Sequence, residues 1–146
     1  MTQEEIMSEI DIIIEESTTA VLASTRKDGS PNMRWMTPTL LKDRRRAVYA
    51  VTSPLFSKVE DIEKNAHVEW MFQTPVLNKI ITVKGTASII ENASLKSEIL
   101  EAIGRRLTAF WKLNEDSRNL IVLETVIEEA VFFLPMKGIK KKVRFG

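Results

Sequence analysis

Ile80-Ile81-Thr82-Val83-Lys84-Gly85-Thr86-Ala87-Ser88-Ile89 alternates with a period of two. Ile81, Val83, Gly85, Ala87 and Ile89 fall on one side; Thr82, Lys84, Thr86 and Ser88 fall on the other. Successive side chains of a strand point to opposite faces, so the stretch predicts a strand with one face in a core and one in water. Half-buried strands of this kind belong to antiparallel sheets, because strands of parallel sheets read as continuous apolar runs. Gly85 interrupts the apolar side and predicts a bulge or a close backbone approach.

Working outward, His67 to Phe72 alternates in the same way, with Val68, Trp70 and Phe72 against His67, Glu69 and Met71; Gln73 to Lys79 then forms a loop. Further upstream, Ala20 to Ser24 is a short strand and Asp28-Gly29 a hairpin turn, since glycine supplies the positive φ that tight turns need. Met33 to Leu40 is the returning strand, ending or bulging at Pro38. Lys42 to Arg46 makes the next turn and Ala47 to Thr52 the next strand. Downstream, Leu120 to Leu123 and Glu129 to Leu134 are one long strand or a bent pair, stopped by Pro135.

Helices punctuate this order. Thr2 with Glu5 forms a capping box ahead of Ile6, Ile10, Ile13 and Ile14, which recur at helical spacing to about Glu16. Pro54 suits a first helical turn. Ser57 with Glu60 is a second capping box, Leu55, Val59 and Ile62 line one face, and Asn65 is placed to end the helix in a left-handed conformation. Asn92 to Ile103 carries Leu95, Ile99 and Ile103 on one stripe, with Gly104 past its end. Leu107 to Trp111 reads as a further helical turn. Strands joined by short turns or single helices predict a mainly β chain: an antiparallel barrel or Greek key decorated by helices.

The 146 residues suit one domain, and a 44% hydrophobic content supports a packed core. The natural division is a folded domain over residues 1–136 and a basic tail over 137–146. Cysteine is absent, which excludes disulfides and thiolate chemistry. The polar, acidic start Met1-Thr2-Gln3-Glu4-Glu5 is unlike a signal peptide, and no apolar run approaches the ~18 residues of a membrane span. A cytoplasmic protein is the expectation. Net charge is +1, which disfavours nucleic acid as a partner. The basic clusters Arg44-Arg45-Arg46 and Lys137, Lys140, Lys141, Lys142, Arg144 read as a solvated turn and a solvated or partner-draped end.

His67 is the single histidine, so neither a metal centre nor a hydrolytic triad is expected. No phosphate-binding glycine pattern is present. What remains is an anion site. Arg34 sits on a largely apolar strand, where a guanidinium needs a partner. Lys58 lies in a first helical turn, where free N–H groups already favour an anion. Thr52, Ser53 and Ser57 add hydroxyls. The set suggests a phosphate held beside a flat apolar wall, hence a phosphorylated aromatic cofactor; the plainer alternative is an exposed arginine and an ordinary surface lysine.

The order Arg34-Trp35-Met36-Thr37, then Tyr49 to Ser53, then Ser57-Lys58-Val59 resembles the FMN-binding split barrels related to pyridoxamine 5′-phosphate oxidase, closest to their general stress protein branch. Ile80 to Ala87 resembles the family's long strand. Leu107 to Trp111 with Asn114-Glu115-Asp116 resembles its aromatic and acidic loop. Asn119 to Thr125 and Glu129 to Phe133 resemble its closing strands. The resemblance implies a six-stranded antiparallel split barrel flanked by about three helices, paired as a homodimer with FMN at the interface. It places Arg34 and Lys58 on the phosphate, and Trp35, Met36 and Thr37 along the isoalloxazine. Val51, Thr52 and Ser53 would face the ribityl chain, with Ser57 a shifted phosphate hydroxyl and Trp111 against the partner's flavin. The dimer face is expected to take in the Ala47–Thr52 and Ile80–Ile89 strands and Leu107 to Trp111, because the large apolar residues are many for one small barrel.

Departures narrow the activity. Phe56 stands where many relatives have serine, Lys79-Ile80 stands where the oxidase has Arg-Gln, and Gly138 to Gly146 has no counterpart of its substrate-binding segment. Pyridoxamine phosphate oxidation is therefore not expected. A flavin-dependent oxidoreductase of unknown substrate leads, with no catalytic side chain. A barrel that binds or stores FMN, haem or another anionic planar ligand is the alternative, and a cofactor-free interaction protein the third.

Overall fold

The computed structural model describes residues 1–54, 57–104 and 119–146, with the backbone alone for Ser57. Helix α1 (Gln3–Ser17) begins at the Thr2–Glu5 capping box, with both reciprocal bonds made, and ends at Thr18 in a left-handed conformation. Its Ile6, Ile10, Ile13 and Ile14 are buried. Strands β1 (Ala20–Thr25), β2 (Pro31–Met36), β3 (Thr39–Leu41) and β4 (Arg44–Thr52) follow. Next come α2 (Ser57–Lys64), β5 (His67–Gln73), β6 (Ile80–Ile90), α3 (Ala93–Ile103), β7 (Ile121–Leu134) and β8 (Ile139–Arg144).

All eight strands form one antiparallel sheet in the order β2-β1-β5-β6-β7-β4-β3, with β8 also on β7. The chain is thus the expected helix-decorated antiparallel sheet, curled as a split barrel, with eight strands among the described residues in place of six. Two changes account for the difference. The returning strand breaks at Thr37-Pro38 into β2 and β3, as Pro38 forewarned. The segment beyond Met136, read as a basic tail, is a strand: Ile139 pairs with Leu134 and Arg144 with Glu129. Val143 and Phe145 enter the core from it. Arg44, Arg45 and Arg46 likewise open β4; the turn is confined to Lys42-Asp43.

β7 is a single continuous strand. Its register against β6 jumps between Lys84↔Glu129 and Gly85↔Ile127, leaving Glu128 as the extra residue of a bulge. A Cβ on Gly85 would lie 2.5 Å from the Val126 carbonyl oxygen, which explains the glycine. Asn65 does not adopt the left-handed conformation; its side chain instead accepts a bond from the His67 N–H.

Two cores result. Val48 and Ala50 face the barrel interior with Trp70, Phe72, Ile81, Val83 and Phe132. Tyr49 and Val51 face a second cluster with Leu95, Ile99 and Ile103 of α3. Trp70 donates from its indole N–H to the Thr125 hydroxyl at 3.0 Å. The apolar excess read from the sequence is therefore internal for Trp70, Phe72, Ile81, Val83 and Phe132, which a single chain buries. No helix among the described residues is long and apolar enough to cross a membrane.

Candidate functional site

β1 and β2 pair Leu22 with Arg34 and Val21 with Trp35. Paired residues share a face, so Arg34 points the way of Leu22, a core residue, while Trp35 points outward and is 46% exposed. Met36, opposite Ala20, is buried in the main core. The four residues the sequence placed together thus divide: Arg34 and Met36 inward, Trp35 outward, and Thr37 buried just past the strand's end.

The Arg34 guanidinium is held from one side. Its Nη2 donates to the Ser24 hydroxyl at 2.9 Å and to the Asn32 carbonyl at 3.0 Å. Its Nη1 is buried and has no partner among the described residues, and neither has the buried Thr37 hydroxyl. Buried polar atoms are nearly always hydrogen-bonded, and leaving one unsatisfied costs about 1–3 kcal/mol. Each of the two is a polar atom whose partner the described residues do not supply.

Charge reinforces this. α2 packs on β1 and β6 and presents Lys58 in its first turn, buried. Burial, and then the neighbouring Arg34, push the Lys58 ammonium down to about 8. Burial also lowers Arg34, opposed by the carboxylate of Asp61, itself buried, and assisted by Arg26. Two partly desolvated cations thus act on one another here, and a low-dielectric setting of this kind strengthens their attraction for an anion.

The strand preceding α2 completes the surroundings. Thr52 is buried and lies on the Val48–Ala50 side of β4, and Ser53 is half-buried. Val51 faces the α3 cluster, so only its backbone is available to a ligand on the Thr52 side. Leu107 to Trp111, and with it the proposed Trp111 contact, lies outside the described residues, as does the Ser57 side chain. Ser24 and Asp61 were missed in the sequence. The strand pairing brings Ser24 to Arg34, and no local motif announces a contact across a hairpin. His67 is exposed, and the described residues contain no cluster of metal ligands.

A family model described as pyridoxamine 5′-phosphate oxidase matches residues 6–133. Among solved structures, general stress protein 26 from Bacillus anthracis str. Sterne is 22% identical and superposes with a TM-score of 0.73, covering 97% of this chain and 99% of that one. A protein from Clostridium acetobutylicum related to general stress protein 26 is 17% identical, with a TM-score of 0.73 and coverages of 97% and 96%. A heme binding protein from Mycobacterium smegmatis is 16% identical, with a TM-score of 0.72, covering 94% of this chain and 57% of its own. No curated protein sequence matches the chain.

Proposed function

The chain belongs to the pyridoxamine 5′-phosphate oxidase family, and from that premise we propose that it is a flavoprotein that binds FMN by its phosphate. The observation that carries this is the pair of orphaned buried donors, Arg34 Nη1 and Thr37 Oγ1. Arg34, already oriented through its Nη2 by Ser24 and Asn32, offers Nη1 as a preorganised charged donor, and a charge-assisted bond to a phosphate oxygen is among the stronger hydrogen bonds. Lys58 supplies point charge and the first turn of α2 its N–H groups. Thr52 and Ser53 offer hydroxyls along the approach. Bound FMN supplies hydride and electron transfer, and the chain's part is to hold and orient it. No described side chain is assigned proton transfer, and the oxidisable substrate stays open.

The outer face of the sheet supports the homodimer. Trp35 pairs with Val21, Val21 with Met71, Met71 with Thr82 and Thr82 with Val131. This row is mostly apolar, and Trp35 and Met33 stand exposed at its β2 end. Apolar faces of this kind mark association surfaces. A second copy seated there is the partner we assign.

The test is the absorption spectrum of the purified protein, followed by titration with FMN and anaerobic reduction by NADH or NADPH. A flavin spectrum and micromolar or tighter FMN binding are expected. Failure to bind FMN at any accessible concentration removes the proposal, and a bound flavin that no nicotinamide donor reduces leaves a storage barrel. The M. smegmatis neighbour favours one alternative, haem held by its carboxylates at the same cations. A Soret band on haem addition, with no response to FMN, selects it.

A further inference from the structure

A cavity of about 700 Å³ opens between α1, the β3–β4 hairpin and the end of α3 at Ala102. It shares no lining residue with the Arg34, Thr37 and Lys58 site. Its volume lies in the range of about 300–1,000 Å³ usual for small-molecule sites.

The helix that forms one wall has two working stripes. Ile6, Ile10 and Ile13 are buried in the main core. The adjacent stripe, Glu4, Met7, Asp11 and Ile14, repeats at three- and four-residue spacing and lines the cavity. Leu40 and Leu41 give the opposite wall its apolar surface, and Lys42, Arg45 and Arg46 stand on the same hairpin. The cavity is therefore apolar in its floor and split in charge, with carboxylates from α1 on one side and cations from the hairpin on the other. Arg45 and Glu4 approach to 3.6 Å and join the two walls at the Glu4 end. Asp11 and Arg46 take part in no ion pair among the described residues.

We propose that this cavity is a second binding site, for a small zwitterion with an apolar body. The ligand's amine would meet Asp11, its carboxylate Lys42 and Arg46, and its apolar part Met7, Ile14, Leu40 and Leu41. Neither a plain cation nor a plain anion satisfies both walls, and an uncharged apolar molecule leaves both unused.

Three probes with one apolar body separate these cases: L-tryptophan, tryptamine, which lacks the carboxylate, and indole-3-acetate, which lacks the amine. Each is titrated into the full chain while backbone amide resonances are followed. Tryptophan is expected to bind tightest and to shift amides of Met7–Glu15 and Leu40–Arg46. Asp11→Asn is expected to weaken tryptophan and tryptamine by about fivefold and leave indole-3-acetate unchanged. Arg46→Gln is expected to do the reverse, weakening tryptophan and indole-3-acetate. Both residues are exposed, so neither variant endangers the fold. Equal binding of all three probes, shifts confined to other segments, or no binding at all would overturn the proposal.

Discussion

Arg34→Ala separates what the guanidinium does for the fold from what it does for a ligand. Without ligand, Arg34 carries two opposed contributions. Its bonds to Ser24 and the Asn32 carbonyl stabilise, and its buried, unpartnered Nη1 destabilises; each is worth about 1–3 kcal/mol. The variant loses both, and Lys58 is relieved of a neighbouring cation. The thermal midpoint of the ligand-free protein is therefore expected to move by only a few degrees. Ligand binding responds differently. A charge-assisted bond to phosphate contributes about 1.5–3 kcal/mol, so FMN affinity falls about 10- to 150-fold. Riboflavin has the same ring and ribityl chain without the phosphate, and its affinity stays as it was. Isothermal titration of both ligands into both proteins decides the matter. Equal losses for FMN and riboflavin would refute the phosphate assignment, as would unchanged FMN affinity in a folded variant.

Further outcomes follow from Lys58, Gly85 and β8. Lys58 titrates near 8 when folded and near its ordinary, higher value when unfolded, so the unfolded chain holds more protons between those values. Stability of the ligand-free protein therefore rises with pH above 8, and denaturant unfolding at pH 7, 8 and 9 measures it. A phosphate recharges the lysine, so FMN affinity, unlike that of riboflavin, weakens over the same range. Gly85→Ala drives a Cβ against the Val126 carbonyl and the Thr125 side chain that holds Trp70; about 3 kcal/mol of destabilisation is expected, read from chemical denaturation. Deleting residues 137–146 strips β8 and exposes the surface under Val143 and Phe145. At about 1.5–3 kcal/mol for each buried side chain, the midpoint falls by about 10 °C or more, and a smaller change in calorimetry would show the strand to be an ornament.

The strands whose side chains alternate were plain in the sequence, because burial on one face writes itself into every second residue. β6 and β5 are the clearest, and the cap of α1 at Thr2 and the end of α3 at Gly104 were equally legible, whereas Asn92, read as the first residue of α3, is its N-cap. β8 was hidden because Lys140, Lys141 and Lys142 occupy both faces of a strand that buries only Val143, with Phe145 just beyond it. Charge density there reads as a tail, whereas on an edge strand it is what keeps a free edge from pairing with other chains. Arg44 to Arg46 misled for the same reason: the exposed start of a strand has the composition of a turn. In the site, Arg34 and Lys58 were visible as cations in unusual company. Ser24, Asp61 and the inward turn of Val51 toward α3 depend on pairing register and helix docking, which no local window contains.

The strand with the bulge has a consequence for how this protein is made. β7 lies against β6 along one edge and against β4 and then β8 along the other. A ribosome emits the chain from its N-terminus, so β4, already paired with β3, is complete at Thr52 and must wait until Ile121 for its second neighbour. Through that interval the inner face of β4, joined by that of β6 after Ile90, is synthesised but unclosed, and the nascent chain shows water the apolar surface that the finished barrel hides. Non-local pairings of this length are slow to form and leave intermediates prone to aggregate. That exposure therefore lasts until β7 has been synthesised, and the arrival of β7 ends it.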